Sequence, residues 1–288
     1  MLWAFLVVFG AVMNATYYAF IKNMVRGVDP CVLAGGVFLS ASAVLFAASA
    51  INGFPELGED FLISVFATGS LNIIATLLYF RVLKTTDLSL AVPMVSFTPA
   101  FLVLTSFIIL GEFPSVSGIF GILLIVAGGY LLNAGERNSG DAKGPLSGMP
   151  NNRGVVTMLA VAFLYSISSN FDKLAVLNSD PLFGSFAIYL VIGGSFLCAS
   201  FAGNPESGRI YRRHLKKLML GGAIISLVAM PVNTALTMQI VPYVISLKRM
   251  SIIFSVFYGG LLFREKHMWK RTAGALIMVA GAVLIVLF

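Results

Sequence analysis

The sequence predicts an all-α integral membrane protein whose ten transmembrane helices form two five-helix repeats of opposite orientation. Three observations carry this reading: a composition too apolar for a water-facing globule, ten uninterrupted apolar runs, and a second half that repeats the first with its charge bias inverted. Of 288 residues, 58% are apolar and 11% charged, and the mean hydropathy is +0.94. Soluble domains run nearer a quarter charged.

A helix rising about 1.5 Å per residue needs about 20 residues to cross about 30 Å of hydrocarbon. Runs of that kind cover 2–21, 31–51, 61–80, 88–110 and 115–132 in the first half. In the second half they cover 154–172, 182–202, 215–238, 242–263 and 271–288. They are continuously apolar, where a lipid-facing strand would alternate, so helices are predicted rather than a barrel. The first run has no basic stretch before it and no polar cleavage segment after it, and is therefore read as a permanent span rather than a signal peptide. Pro93 and Pro99 fall inside span four and Pro231 inside span eight, where each would bend a helix and free carbonyls. Gly121 and Gly128 in span five, and Gly274 and Gly281 in span ten, repeat at seven residues. They offer smooth faces for packing on their own half or on a second protomer, which puts a homodimer among the expected partners.

The halves are related residue by residue. At an offset of 153, Glu112, Gly121, Leu123, Val126, Ala127, Gly128 and Leu131 recur as Glu265, Gly274, Leu276, Val279, Ala280, Gly281 and Leu284. At an offset of 151, Lys22, Asp29 and Pro30 recur as Lys173, Asp180 and Pro181. The predicted organisation is a first repeat over 1–133, a linker over 134–153 and a second repeat over 154–288. An odd number of spans per half sends the second half in from the other side of the membrane, so the basic loops should switch position. They do: Lys22, Arg26, Arg81 and Lys84 follow spans one and three, while Arg209, Arg212, Arg213, Lys216, Lys217, Arg264, Lys266, Lys270 and Arg271 follow spans seven and nine. The Gly-, Asn- and Ser-rich linker adds Arg137, Lys143 and Arg153. This pattern predicts a multi-pass protein of the plasma membrane with a cytosolic linker and both termini on the non-cytosolic face. It also accounts for the net charge of +7 without a nucleic-acid partner.

Several chemistries are excluded. No GxxxxGK[ST] loop is present for ATP, and no HExxH, serine elbow or catalytic carboxylate pair, so the chain is predicted not to be an enzyme and to carry no cofactor. Cys31 and Cys198 have neither metal nor redox spacing. His214 and His267 sit in basic loops without metal-spaced partners.

The motifs LGE at 110–112 and VAGGYLL at 126–132, against FRE at 263–265 and VAGAVLI at 279–285, resemble the drug/metabolite transporter superfamily, specifically its EamA-type members. The resemblance implies a central cavity lined mainly by spans one, three, four, six, eight and nine, with spans five and ten at the periphery. It also implies alternating access to a small metabolite, with substrate identity left open.

Candidate site residues follow from polar groups inside these spans. Lys248 and Arg249 lie about two turns inside span nine, where a cation costs roughly 2.5–3.5 kcal/mol near a helix centre. At about 100° per residue Lys248 shares a face with Ser251, Ser255 and Gly259. The pair is similar to one in plastidic phosphate and nucleotide-sugar translocators of the same superfamily, which implies that it grips an anionic group. The alternative is snorkelling or a purely structural pairing with Asp172. In span six, Tyr165, Ser168, Ser169 and Asp172 form one polar stripe, with Asn170 and Lys173 beside it. Asp172 either exchanges between a cation and substrate or proton, or simply marks an interfacial helix end with Lys173. Asn14, Tyr17 and Tyr18 in span one, Asn72, Thr76 and Tyr79 in span three, and Ser226, Asn233 and Thr237 in span eight are further lining candidates, with interhelical packing as the plainer use of each. Tyr17 and Tyr79 would cap or gate the path. The expected function is a secondary transporter of a small anionic metabolite, with a proton or counter-substrate as coupling partner. The alternatives are an exporter of zwitterionic cargo, and a membrane scaffold or lipid-handling protein.

Overall fold

The computed structural model describes residues 1–22, 24, 28–85, 92–134, 153–203, 206–263 and 268–287. Among them the regular structure is helical, with no strand. The helices are α1 (Leu2–Lys22), α2 (Pro30–Asn52), α3 (Phe61–Thr85), a 3-10 segment (Val92–Phe97), α4 (Thr98–Leu110) and α5 (Val116–Ala134). They continue as α6 (Arg153–Leu177), α7 (Pro181–Gly203), α8 (Ser207–Met238), α9 (Val241–Lys248), α10 (Ser251–Phe263) and α11 (Met268–Leu287). Among the described residues, seven segments are long and apolar enough to cross a bilayer, and three shorter apolar ones cover Met94–Leu110, Val116–Leu132 and Ala273–Leu287. These are the ten expected runs. Large apolar side chains such as Phe5, Leu62, Phe66, Ile108, Phe120 and Leu276 stand exposed, as lipid-facing residues do. The linker at 135–152, the basic residues Arg26, Arg264 and Lys266, and Glu265 lie outside the described residues.

The repeated Asp-Pro dipeptide has the same local purpose in both places. The Asp29 carboxylate accepts from the backbone N–H groups of Cys31 (2.8 Å) and Val32 (3.3 Å), with Pro30 opening α2. Asp180 accepts from those of Leu182 (2.6 Å) and Phe183 (2.8 Å), and Pro181 opens α7. Each aspartate satisfies helix-end donors that would otherwise be orphaned, while proline supplies a φ suited to the first turn.

Four expectations about span geometry need correction. Pro99 does not kink span four from within: it sits in the first turn of α4, and Pro93 belongs to the 3-10 segment ahead of it, so the prolines start helices there. Span six runs on to Leu177, which leaves Asp172 more than a turn inside α6 rather than at its end. Span eight begins at Ser207, not 215, because the charged stretch docks on the end of α7. The Ser207 hydroxyl donates to the Ser200 carbonyl at 2.7 Å, and Tyr211 stacks on Phe201 with centroids 5.9 Å apart. Pro231 does lie inside α8, as expected. Finally, span nine is not one continuous helix, since α9 ends at Lys248 and a turn at Arg249 and Met250 precedes α10.

The chain divides into two compact units. The first comprises Met1–Ile73 and Phe171–Gln239. In it α2 packs on α7 and α8, and α1 packs on α8.

The second unit comprises Ile74–Asn170 and Ile240–Phe288. Here α5 packs on α11, and α4 packs on α9. The glycine faces meet each other within one chain, span five of the first half against span ten of the second, rather than each packing on its own half as expected. A Cβ on Gly121 would lie 2.8 Å from the Gly281 carbonyl oxygen, and one on Gly128 would lie 2.6 Å from that of Gly274. The pairing is antiparallel and reciprocal, 121 with 281 and 128 with 274, so the backbones touch where only hydrogen fits. A buried cluster of Ala75, Val82, Met94, Val155, Met158 and Val161 joins the end of α3, the 3-10 segment and α6.

Candidate functional site

In the first unit, α3 and the end of α6 build a hydrogen-bonded chain. Asn72 lies one turn after Thr68 on α3, and its Nδ2 donates to the Thr68 carbonyl (2.9 Å) and hydroxyl (3.2 Å). The Thr68 hydroxyl in turn donates to Asp172 Oδ1 at 2.6 Å. Thr68 is 0% exposed. A short bond from a hydroxyl to a carboxylate in so dry a place is of the stronger, charge-assisted kind. Next to Asp172, Lys173 turns elsewhere: its Nζ donates to the Gln239 carbonyl at 2.8 Å, just past the end of α8. That is where helix carbonyls lack partners and the dipole is negative. Asn233 on α8 donates to the Ser185 hydroxyl on α7. Asn14 is buried in α1, and the rings of Tyr17 and Tyr18 lie 5.8 Å apart.

The second unit holds the cations of span nine. The Arg249 amide bonds the Ser246 carbonyl at 3.0 Å, Met250 that of Leu247 at 3.0 Å, and Ile252 that of Arg249 at 3.0 Å. This i to i−3 pattern turns the chain by nearer 120° than 100° per residue. The even stripe expected for Lys248, Ser251 and Ser255 is therefore interrupted at its start. The half-buried Arg249 Nη2 donates to the Thr98 hydroxyl, at the start of α4, at 2.8 Å. Seven residues on, Thr105 Oγ1 accepts from Asn170 Nδ2 at 3.2 Å. Ser251 is buried and Ser255 half-buried on α10. Tyr79 and Tyr165 both pack against the buried cluster around Met158, and the Ser169 hydroxyl donates to the Tyr165 carbonyl of its own helix at 2.9 Å.

The expected site residues thus fall into two sets. Asn72 and Asp172 are brought together through Thr68. Asn14, Tyr17, Lys173 and Asn233 belong to the same unit, and Tyr79, Tyr165, Ser169, Lys248, Arg249, Ser251 and Ser255 belong to the other.

Sequence reasoning missed Thr68, Thr98 and the use of Glu112. Gly111 takes a left-handed φ of 68°, which glycine adopts without strain, and its N–H closes α4 on the Phe107 carbonyl at 3.1 Å. Glu112 Oε2 then accepts from the Ser106 hydroxyl (3.0 Å) and from the Val241 N–H at the first turn of α9 (2.8 Å). The Tyr243 hydroxyl on α9 accepts from the Ser115 N–H at 2.9 Å, beside the start of α5. The signal for Glu112 was its recurrence as Glu265; what it caps was not readable. Among the described residues no group of His, Cys, Asp and Glu is arranged to hold a metal ion.

The EamA-like transporter family model matches residues 1–134. None of the curated proteins matches the chain. A solved crystal structure is similar over 99% of this chain and 96% of its own, with a TM-score of 0.74 at 20% identity, which shows a shared fold. The class that the fold defines is a multi-pass helical membrane protein, and its residues 1–134 are similar to the EamA-like transporter family.

Proposed function

We propose that the protein is a secondary transporter that moves a small anionic metabolite across the plasma membrane by alternating access, with Lys248 and Arg249 holding the anion. The observation that carries this reading is Arg249 itself: a guanidinium inside an apolar stretch, half-buried and held on Thr98 at 2.8 Å. An intramembrane cation is expensive, and function is the default reason for keeping one. Arginine presents a planar fork suited to phosphate or carboxylate, and the adjacent lysine adds a point charge. The EamA-like match over residues 1–134 supports transport as the task.

Two inverted five-helix repeats, 1–133 and 154–288 with a cytosolic linker and both termini outside, form the framework of this reading. The matching Asp-Pro caps and the reciprocal glycine contacts support it. Counterflow in proteoliposomes tests the function. Accelerated exchange of phosphate esters or dicarboxylates is expected, and no accelerated exchange of any small solute would leave a scaffold or lipid-handling role instead.

A second reading, export of a zwitterion whose amine Asp172 holds, is favoured by the Thr68–Asp172 bond. A carboxylate held that firmly could receive an ammonium group. Exchange of amino acids but not of phosphate esters would select it.

A further inference from the structure

Asn170 is 0% exposed, and the direction of its amide is set by its neighbours. Its Nδ2 donates to the Ser166 carbonyl at 2.8 Å, and a carbonyl can only accept, so the nitrogen must face that way. The same nitrogen lies 3.2 Å from Thr105 Oγ1. The amide oxygen, Oδ1, is left on the other side, buried and with no hydrogen-bond partner among the described residues. Buried acceptors are nearly always satisfied, and one left without a donor is costly to the fold. Thr105 belongs to the same stretch of α4 as Thr98, which holds Arg249. Seven residues on a helix are two turns, so both threonines share a face and stand about 10 Å apart along it.

We infer that Asn170 is a specificity-determining residue of the anion site, whose Oδ1 accepts a hydrogen bond from a hydroxyl or ammonium group at the far end of a substrate held by Arg249. This rests on the anion reading and adds to it the second half of the ligand: a donor group about two helical turns from the charge. A site built around a buried acceptor rejects an analogue that lacks the donor, because the acceptor then stays unpaired.

The test uses the full-length protein in detergent and three probes of one length: hexyl phosphate, 6-hydroxyhexyl phosphate and 6-aminohexyl phosphate, with affinities from calorimetric titration. Wild type is expected to bind the hydroxyl or amino probe about tenfold more tightly than the plain alkyl one. Asn170→Leu is expected to bring the three probes level. Asn170→Ala, which also lacks the acceptor and cannot overpack, repeats the comparison should the leucine variant fail to fold. A wild type that does not discriminate, or variants that lose affinity for all probes while keeping the ratio, would overturn the inference and leave the anion site standing. Failure of wild type to bind any of the three, or inorganic phosphate, would remove the anion reading itself.

Discussion

The carboxylate of Glu112 accepts the backbone N–H of Val241 at 2.8 Å, tying the loop after α4 to the first turn of α9 across 129 residues of sequence. Gly111 makes the geometry available, because its left-handed φ of 68° ends α4 abruptly and turns the next side chain aside. A carboxylate at a helix N-terminus also meets the positive end of the helix dipole. The short helix α9, which ends at Lys248, is therefore anchored at its beginning by one acidic side chain.

Glu112→Ala should leave the Val241 N–H and the Ser106 hydroxyl without this acceptor and lower stability by about 1–2 kcal/mol. Glu112→Gln keeps an oxygen in place but not the charge, so its loss should be smaller. Unfolding midpoints in detergent order the three proteins, and equal losses for Ala and Gln would mean that charge alone matters.

The α5–α11 seam should not tolerate an added methyl group. Gly128→Ala would place a Cβ 2.6 Å from the Gly274 carbonyl oxygen and 2.8 Å from the Met278 amide nitrogen, backbone atoms that cannot swing away. Helix propensity favours alanine by about 1 kcal/mol, but overpacking costs about 1–3 kcal/mol, so net destabilisation is expected. Gly194→Ala on α7, where nothing lies within 4 Å of the added carbon, should be neutral or stabilising. The two melting temperatures measured side by side check both.

What was legible beforehand follows from how local each cause is. The apolar helices, seven of them long enough to cross a bilayer among the described residues, could be read because hydrocarbon thickness sets a length that a single run of residues either meets or misses. The Asp-Pro caps were visible as a repeat because cap and helix are adjacent in sequence. The start of α8 at Ser207 was not, since its charged first turns are held by Ser200, Phe201 and Tyr211 rather than by their own apolarity. Arg249 was singled out by its cost inside a span, yet its partner Thr98 lies 151 residues away. The turn that follows Lys248 carries no glycine or proline, and so no sequence mark. Asp172 was recognised as a candidate while Thr68, an ordinary threonine in an apolar helix, was not.

The bond between Thr68 and Asp172 should be measurable as a coupling. Thr68→Val and Asp172→Leu each remove one side of a 2.6 Å contact between α3 and α6. In a double-mutant cycle on unfolding free energy, the pair should be non-additive by about 1–2 kcal/mol, whereas residues without contact would add within about 0.5 kcal/mol. Additive behaviour would mean that Asp172 draws its support from other groups.

Arg249→Lys separates charge from shape at the proposed anion site. Lysine keeps the positive charge but offers no planar fork, and it cannot hold Thr98 and an anion in one plane as a guanidinium does. Affinity for inorganic phosphate should fall about tenfold in Arg249→Lys and disappear in Arg249→Gln, as should affinity in Lys248→Gln, while melting temperatures stay near that of wild type. Thr98→Val leaves both cations in place but removes the hydroxyl that Nη2 donates to at 2.8 Å. It should weaken phosphate binding only a few-fold, since the guanidinium loses its tether and not its charge. A collapsed melting temperature with preserved affinity in the glutamine variants would instead make the two cations part of the scaffold, because a structural ion leaves a stability deficit and a ligand-holding one leaves a binding deficit.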